Sequence, residues 1–496
     1  MRIAALSGDT IANLDEALLR QITSGVGLGT AVKKFLEPLL GISAYRLKLL
    51  LEDEEVSNAL PLDLRFAEVD LQLVILPYCQ ERARELLDAA ESGNLFEAKR
   101  FLELSQDPNV KCGDSLAPLH AASCMGHLDM VRLLVEARAD ANQTGAYGTP
   151  LLIAAERGRL DVVRYLVETG AGKDEPKEDG STPLLCAAFG DHLEVVKFLV
   201  EAGADKDLQR ADGATPLLCA AASDHLEVVQ CLVHAGADKN LQRKNGFTPL
   251  LFAVFRNNVD VARFLVQAGA DTNKPGEDGD TPLLFASVEG HMELVRLLLE
   301  ASADIDKASD NGSTPLLCAA DEGHSELVRV FVEAGADKEE ARCDGSTPLL
   351  CAASQGHVDV VKVLLDSGAD TNKCRMDGST ALTCAAAEGH EEIVRALLKA
   401  GADPKWSRKD GCMAQQLAED HGHSQIADMV LESQRGKASG TSRGSTSSSR
   451  KKRARCDKDN KRGSVSKKSS QIGKIEKARQ QQLCSRLQCQ VPNEEF

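Results

Sequence analysis

Residues 182–214 read TPLLCAAFGDHLEVVKFLVEAGADKDLQRADGA, and at Thr215 the sequence begins the same motif again. The opening Thr-Pro-Leu-Leu recurs at intervals of 33 residues, and Thr380-Ala381-Leu382 follows at the same interval. The earlier starts are Thr149, Thr182, Thr215, Thr248, Thr281, Thr314 and Thr347. A fixed period of this length indicates a repeat protein, in which each unit packs only against its neighbours.

Each unit encodes two short helices. The hydroxyl of Thr182 can cap the first helix, and Pro183 suits the first helical position because no backbone N–H is needed there. The small pair Ala187-Ala188 lets this helix lie close to its neighbours. The second helix is predicted to bury one apolar face, formed by Leu193, Val196, Leu199 and Val200.

Turn residues separate the helices at fixed places. Gly203 closes the second helix, where a left-handed backbone is wanted, and Asp212-Gly213 supplies the tight hairpin that leads to the next unit. Asp-Gly or Asn-Gly recurs at Gly180, Gly246, Gly279, Gly312, Gly345, Gly378 and Gly411. Together, these separately placed signals resemble the ankyrin-repeat family, and the resemblance implies a mainly α solenoid with a concave protein-binding face.

The repeat register extends over residues 84–432. Arg84 begins an N-terminal cap without Thr-Pro, Ala117-Pro118-Leu119-His120 begins a unit that is one residue short, and a C-terminal cap begins at Met413. We therefore predict about eleven helix-turn-helix units, two of them caps. Their starts lie near 84, 117, 149, 182, 215, 248, 281, 314, 347, 380 and 413.

Three departures from the repeat pattern carry structural predictions. The family's Thr-Pro-Leu-His keeps its histidine only at His120, so elsewhere a polar link between loops is expected to become apolar packing. The glycine between the two helices is replaced by Asp191, Asp224 and Asn257, residue types that tolerate the left-handed region. Arg138 and Ser302 replace the closing glycine, and we expect local backbone strain at both.

Residues 1–77 do not belong to the repeat. Their pattern predicts β-β-α-β-β, with an acidic turn at Glu52–Glu55. The predicted elements are Met1–Leu6, Ile11–Leu14, Thr30–Leu40, Arg46–Leu51 and Val69–Leu76. This order resembles a small α+β ubiquitin-like domain. Residues 1–77 lack a terminal Gly-Gly, because Pro77 and Tyr78 follow directly. Lys48 stands where ubiquitin presents an apolar recognition surface.

Residues 433–496 are predicted to form a disordered basic tail rich in Ser, Lys and Arg. This segment holds 17 Lys and Arg against 5 Asp and Glu, a net charge of +12, whereas the other 432 residues hold 41 and 70, a net charge of −29. The tail's basic cluster resembles a nuclear-import signal. Its members are Arg450, Lys451, Lys452, Arg453 and Arg455. The alternative is a tail that only increases solubility.

Composition limits the function classes. No secretory signal or membrane-length apolar run is visible, so we expect a soluble protein of the cytoplasm, the nucleus or both. The cysteines recur at one repeat position, as at Cys186 and Cys219, and are expected to fill the core as free thiols. No metal-ligand spacing or catalytic constellation stands out, and the recurrent histidines share one repeat position, so we predict no cofactor, no metal and no enzymatic activity.

The predicted function is a scaffold that binds a protein partner on the concave ankyrin surface. Aromatic side chains and arginines contribute much of the binding energy of protein interfaces. Seven aromatic, arginine or apolar residues stand at variable positions of the repeat. They are Tyr147, Arg157, Phe189, Phe247, Phe255, Arg256 and Val288. Alternatively, these rings pack on neighbouring repeats. A second possible function is a ubiquitin-system adaptor that recruits ligase or proteasome components. A monomer is expected, and nucleic acid is a disfavoured partner because the acidic body repels phosphate.

Overall fold

The computed structural model describes residues 2–5, 10–13, 28–40, 44–51, 54–55, 70–75, 82–112 and 116–439. Its N-terminal part contains five short strands, one helix and a 3-10 turn. They are β1 (Arg2–Ala5), β2 (Thr10–Asn13), α1 (Leu28–Leu40), the 3-10 turn Ala44–Arg46, β3 (Leu47–Leu51), β4 (Glu54–Glu55) and β5 (Asp70–Ile75). The strands form one sheet in the order β2-β1-β5-β3-β4.

The sheet places the first and last strands side by side. Strand β1 pairs with β5 in parallel, with Ile3 opposite Leu71, and β3 pairs with β5 in the antiparallel sense. The last two residues of the predicted acidic turn, Glu54 and Glu55, are not in a turn: they pair with β3 as strand β4. The predicted helix begins two residues earlier than expected, at Leu28. Its Val32 side chain and Leu49 of β3 are fully buried.

The rest of the described chain is helical and forms eleven successive helix pairs. The first helices are α2 (Ala83–Ser92), α4 (Pro118–Met125), α6 (Pro150–Glu156), α8 (Pro183–Phe189), α10 (Pro216–Ala222), α12 (Pro249–Phe255), α14 (Pro282–Val288), α16 (Pro315–Glu322), α18 (Pro348–Gln355), α20 (Ala381–Glu388) and α22 (Ala414–Asp420). The second helices are α3 (Leu95–Glu103), α5 (Leu128–Glu136), α7 (Leu160–Glu168), α9 (Leu193–Glu201), α11 (Leu226–His234), α13 (Val259–Gln267), α15 (Met292–Glu300), α17 (Ser325–Glu333), α19 (Val358–Asp366), α21 (Glu391–Lys399) and α23 (Ser424–Ser439). The solenoid prediction is confirmed.

The motif residues act as predicted at the start of the first helices. The Thr182 hydroxyl accepts a hydrogen bond from the Leu185 N–H at 3.3 Å, and Pro183 is the first helical residue. The same cap recurs at Thr149, Thr215, Thr248, Thr281, Thr314 and Thr347. One such cap typically contributes about 1 kcal/mol. First helices pack against first helices of adjacent units, and second helices against second helices.

The structure shows the local conformation at the three departures from the repeat pattern. His120 is buried, and its Nε2 donates to the Gln143 carbonyl at 2.9 Å, which confirms a polar link to the following loop. Burial lowers the pKa of His120. Asp191, Asp224 and Asn257 all have positive φ. Arg138 and Ser302 adopt φ values of 69° and 61°, in the left-handed region where a side chain strains the backbone, as expected for both.

The second helices end in loops that are joined along the array. The side chain of Asp174 accepts from the Asp205 N–H at 2.9 Å, and Asp207 accepts from the Asp238 N–H in the next unit. The backbone of one loop is therefore fixed by the side chain of the loop before it.

The last helix runs further than the sequence indicates. Helix α23 continues to Ser439, so residues 433–439 of the predicted tail are helical. Residues 440–496, including the predicted nuclear-import cluster at Arg450, Lys451, Lys452, Arg453 and Arg455, lie outside the described residues. Within the part of the chain that the structure describes, no helix is both long enough and apolar enough to cross a membrane.

Candidate protein-binding face

The last positions of successive first helices form a row with one residue per unit. Four consecutive members are apolar, and we call Phe189, Ala222, Phe255 and Val288 the apolar stripe. Phe189 is 39% exposed, and the other three are half-buried. Neighbouring helix axes lie about 8–10 Å apart, so the stripe offers regularly spaced apolar contacts over four units.

Histidines of the following unit hold the backbone of this row. His225 Nε2 donates to the Phe189 carbonyl at 3.0 Å, and His324 Nε2 donates to the Val288 carbonyl at 2.9 Å. Because a carbonyl can only accept, the hydrogen is on Nε2 in these rings. These recurrent histidines therefore fix the backbone of the row.

Beside the stripe, four phenylalanines from three successive units form an aromatic cluster: Phe247, Phe252, Phe255 and Phe285. The ring of Phe247 lies 4.8 Å from Phe252, 6.0 Å from Phe255 and 5.5 Å from Phe285, measured between centroids. Such edge and tilted contacts add to the energy of burial. Phe247 is 4% exposed, so its ring packs on neighbouring repeats, and Phe255 joins the cluster to the stripe.

Sequence reasoning did not single out Phe252 and Phe285. Both occupy the position that holds cysteine in other units, such as Cys186 and Cys219. Aligning the repeats by their period shows this exchange, and that signal could have found them. The cluster could not be placed around Phe247 from the period alone, because its contacts cross from one unit to the next.

Charged residues border the stripe, one position further along the chain. Arg157, one unit before the stripe, and Arg256, beside its third member, are exposed, whereas Glu289 is exposed beside its last member and Glu322, one unit further on, is half-buried. Tyr147, in the hairpin that precedes α6, is 39% exposed. The border thus changes from positive to negative along the array.

Polar contacts join the hairpins in later units. Arg342 Nε donates to Ser313 Oγ at 2.7 Å and its Nη2 lies 3.0 Å from Asp321 Oδ2. Arg375 Nε donates to Ser346 Oγ at 2.7 Å. We call Ser313–Arg342 and Ser346–Arg375 the polar junctions. They fix hairpin positions that correspond to the one occupied by Phe247 in the aromatic cluster.

Asp212 joins its own hairpin to the next one, which contains Phe247. Arg210 Nε donates to Asp212 Oδ1 at 3.0 Å, and Arg243 Nη2 donates to Oδ2 at 2.6 Å. Burial alone would raise the pKa of Asp212, but the hydrogen bonds from Arg210 and the Ala214 N–H, with the charge of Arg243, hold it well below its usual range. The Arg243 guanidinium also lies 5.9 Å from the Phe252 ring centroid.

The cysteine position does not provide reactive thiols. Burial raises the pKa of Cys186 to about 12 and that of Cys219 to about 11. A nucleophilic or metal-binding cysteine needs a lowered pKa, so these thiols act as small apolar groups. Among the described residues, no group of three or more His, Cys, Asp or Glu side chains is arranged to hold a metal ion.

Comparison with known proteins agrees with the helix pairs. The family model described as ankyrin repeats (3 copies) matches residues 86–177, 170–243, 202–275, 220–309, 272–342, 302–374, 337–408 and 367–441. The chain is also 38% identical over 79 residues to a probable E3 ubiquitin-protein ligase XBOS33 of Oryza sativa subsp. japonica. That stretch spans 15% of this chain and 15% of the rice protein. Because the family model matches well over half of its residues, this chain belongs to the ankyrin-repeat family.

Proposed function

We propose that the protein is a non-catalytic scaffold that binds a protein partner on the face formed by its first helices. The observation that carries the proposal is the apolar stripe, with Phe189 exposed at one end and Phe255 half-buried near its middle. Family architecture makes this face concave. A partner that covers it would remove apolar surface from water and would meet a backbone already held by His225 and His324.

The partner-binding residues divide into contacting and supporting groups. Phe189, Phe255 and Val288 contact the partner directly, and Tyr147 and Arg157 extend the surface toward earlier units. Arg256 supplies charge beside the middle of the stripe. Phe247 supports Phe255 from within the aromatic cluster. A single aromatic anchor in such an interface can be worth about 2 kcal/mol or more.

Site-specific cross-linking tests the proposal. A photo-reactive amino acid is placed at Phe189 in the full chain, and the proteins that it captures in cells are identified. The control carries the same group at Phe96, which is 76% exposed on α3 and stands apart from the stripe. We expect a defined protein captured from position 189 and not from position 96.

The variants Phe189→Ala and Phe255→Ala provide the second measurement. We expect binding of that protein to fall about tenfold or more for Phe189→Ala, with unchanged melting, because the ring is exposed. Identical capture from positions 189 and 96, or binding that survives both substitutions, would contradict a binding role for the stripe.

Other properties follow as proposals. The protein acts as a monomer in the cytoplasm, the nucleus or both, and it does not use nucleic acid as its partner, because its first 432 residues carry a net charge of −29. The basic cluster Arg450–Arg455 directs nuclear import. Replacing Lys451, Lys452 and Arg453 by alanine should shift the protein toward the cytoplasm in microscopy, and an unchanged distribution would exclude this role.

A second candidate function is a ubiquitin-system adaptor. Two observations favour it: the sheet order β2-β1-β5-β3-β4 with a parallel β1–β5 pair supports a ubiquitin-like domain, and one similar protein is named a probable E3 ubiquitin-protein ligase. On this proposal, the N-terminal domain recruits a ligase or proteasome component. Comparing the proteins bound by full-length chain and by residues 84–432 tests it, since loss of such components only from the shorter chain is expected.

A further inference from the structure

The residue that closes the second helix departs from glycine in the second unit. Glycine with positive φ occupies this position in seven of the described units, at Gly170, Gly203, Gly236, Gly269, Gly335, Gly368 and Gly401. Arg138 stands there with φ 69°, and its counterparts are Ser105 in the first unit with φ 62° and Ser302 later in the array with φ 61°. A side chain disfavours this backbone conformation, and a contact made by that side chain can offset part of the cost.

Arg138 makes such a contact with the N-terminal part of the chain. Its Nε donates to Glu37 Oε1 at 3.0 Å, across 101 residues of sequence. Glu37 lies on α1, and its side chain is 18% exposed. The backbone beneath Arg138 is itself fixed, because its carbonyl accepts from Asn109 Nδ2 at 3.2 Å and Asn109 Oδ1 accepts from the Asp140 N–H at 2.7 Å.

A second contact lies close by. The 3-10 turn Ala44–Arg46 packs against α3. Burial, with the charges of Glu136, Glu103 and Glu37, raises the pKa of Tyr45 to about 12. The charges of carboxylates on α1, α3 and α5 therefore all act on one phenol. Arg138, just beyond the end of α5, places a positive charge among groups that would otherwise repel one another.

We propose that Arg138 fastens the N-terminal segment, through α1 and the turn Ala44–Arg46, to the second helices of the first two units. The docking surface consists of α3, α5 and the Arg138 guanidinium, and its occupant is the chain's own N-terminal segment. Docking there uses second helices and leaves the apolar stripe, which lies on first helices, available to a partner.

The test is hydrogen exchange on the full-length protein, with Arg138→Gly compared with Ser302→Gly. Both substitutions relieve a left-handed side chain, but only the first removes a contact with α1. We expect Arg138→Gly to speed exchange in Leu28–Leu40 and Leu47–Leu51 about two- to fivefold, the range that one partly exposed ion pair supports. Ser302→Gly should leave those segments unchanged. Equal exchange in the wild type and Arg138→Gly, or an equal rise in both variants, overturns the proposal.

Charge exchange separates the contact from a general loss of structure. Glu37→Arg and Arg138→Glu each should speed exchange in α1, and the combined variant should restore slow exchange there. Thermal melting of the helical units checks that every variant is folded. A combined variant that exchanges as fast as the single ones overturns the assignment of the contact to this charge pair.

Discussion

The aromatic cluster and the polar junctions connect successive units at the same repeat position. The cluster does so by apolar packing, and the junctions do so by hydrogen bonds. In both regions, the residue before the capping threonine meets the hairpin of the next unit. Ser346 does so by accepting a hydrogen bond from Arg375, whereas the Phe247 ring lies beside Gly276 of that hairpin and packs on Phe285 of helix α14. The period and the backbone are the same, so a repeat can exchange hydrogen bonding for apolar burial at one joint.

Steric space explains why phenylalanine and arginine are not combined at one joint. In the aromatic region, the position equivalent to Arg375 is Gly276. A Cβ atom at Gly276 would lie 3.8 Å from Phe247 Cε2 and 3.3 Å from Leu251 Cδ2. A side chain there would therefore touch the Phe247 ring, and the Leu251 methyl would have to shift to admit it. A phenylalanine before the capping threonine therefore goes with a glycine in the next hairpin, whereas a serine there goes with an arginine.

The largest predicted effect is at the aromatic cluster. Phe247→Ala should lower the free energy of unfolding by about 3–5 kcal/mol, because it removes a buried ring and leaves a cavity among Phe252, Phe255 and Phe285. Urea unfolding at two salt concentrations measures this, and salt should not change the loss. The control is Phe96→Ala, where the ring is exposed. A loss below about 1 kcal/mol would show that the ring packs loosely.

A smaller effect is expected at the first polar junction. Arg342→Ala should lower the free energy of unfolding by about 1–3 kcal/mol, because it leaves the largely buried Asp321 carboxylate and Ser313 hydroxyl without their charged partner. The control is Arg329→Ala, since the Arg329–Glu326 pair is exposed and 3.8 Å apart. Equal losses for the two variants would show that burial of the pair has no energetic consequence.

Asp212, which precedes both kinds of joint along the array, should give a pH-dependent difference in stability. Its pKa in the folded protein is lowered, so its stabilisation is complete above the unfolded value of about 3.9 and is lost as the pH falls toward the folded value. Asp212→Asn should therefore cost about 1–2 kcal/mol at pH 7, and the difference from wild type should narrow as the pH falls to about 3. Urea unfolding at several pH values measures it. A difference that does not vary with pH would contradict the assigned ionisation.

The sequence predicted the features that one unit determines for itself. Thr182 caps its own helix, and Gly203 ends its own helix, so the repeated helix pairs follow from local signals. Contacts between units were harder to foresee. Phe247 was expected to be a binding residue, yet its ring contacts residues up to 38 positions away and is buried. The Arg138–Glu37 contact spans 101 residues, and no period relates its two ends.

The smallest predicted effect tests whether the second polar junction depends on one hydroxyl. Ser346→Ala removes the acceptor of the Arg375 Nε, and the small side chain itself leaves almost no cavity. We expect a loss of about 0.5–1.5 kcal/mol, because the guanidinium keeps its charge but loses one hydrogen bond in a buried place. Alanine already occupies this position at Ala214, so the backbone accepts it. Urea unfolding of Ser346→Ala and of Ser346→Thr, which retains a hydroxyl, measures the difference. If the threonine variant is less stable than the alanine variant, shape rather than hydrogen bonding controls this joint, and the polar and aromatic regions differ less than their chemistry implies.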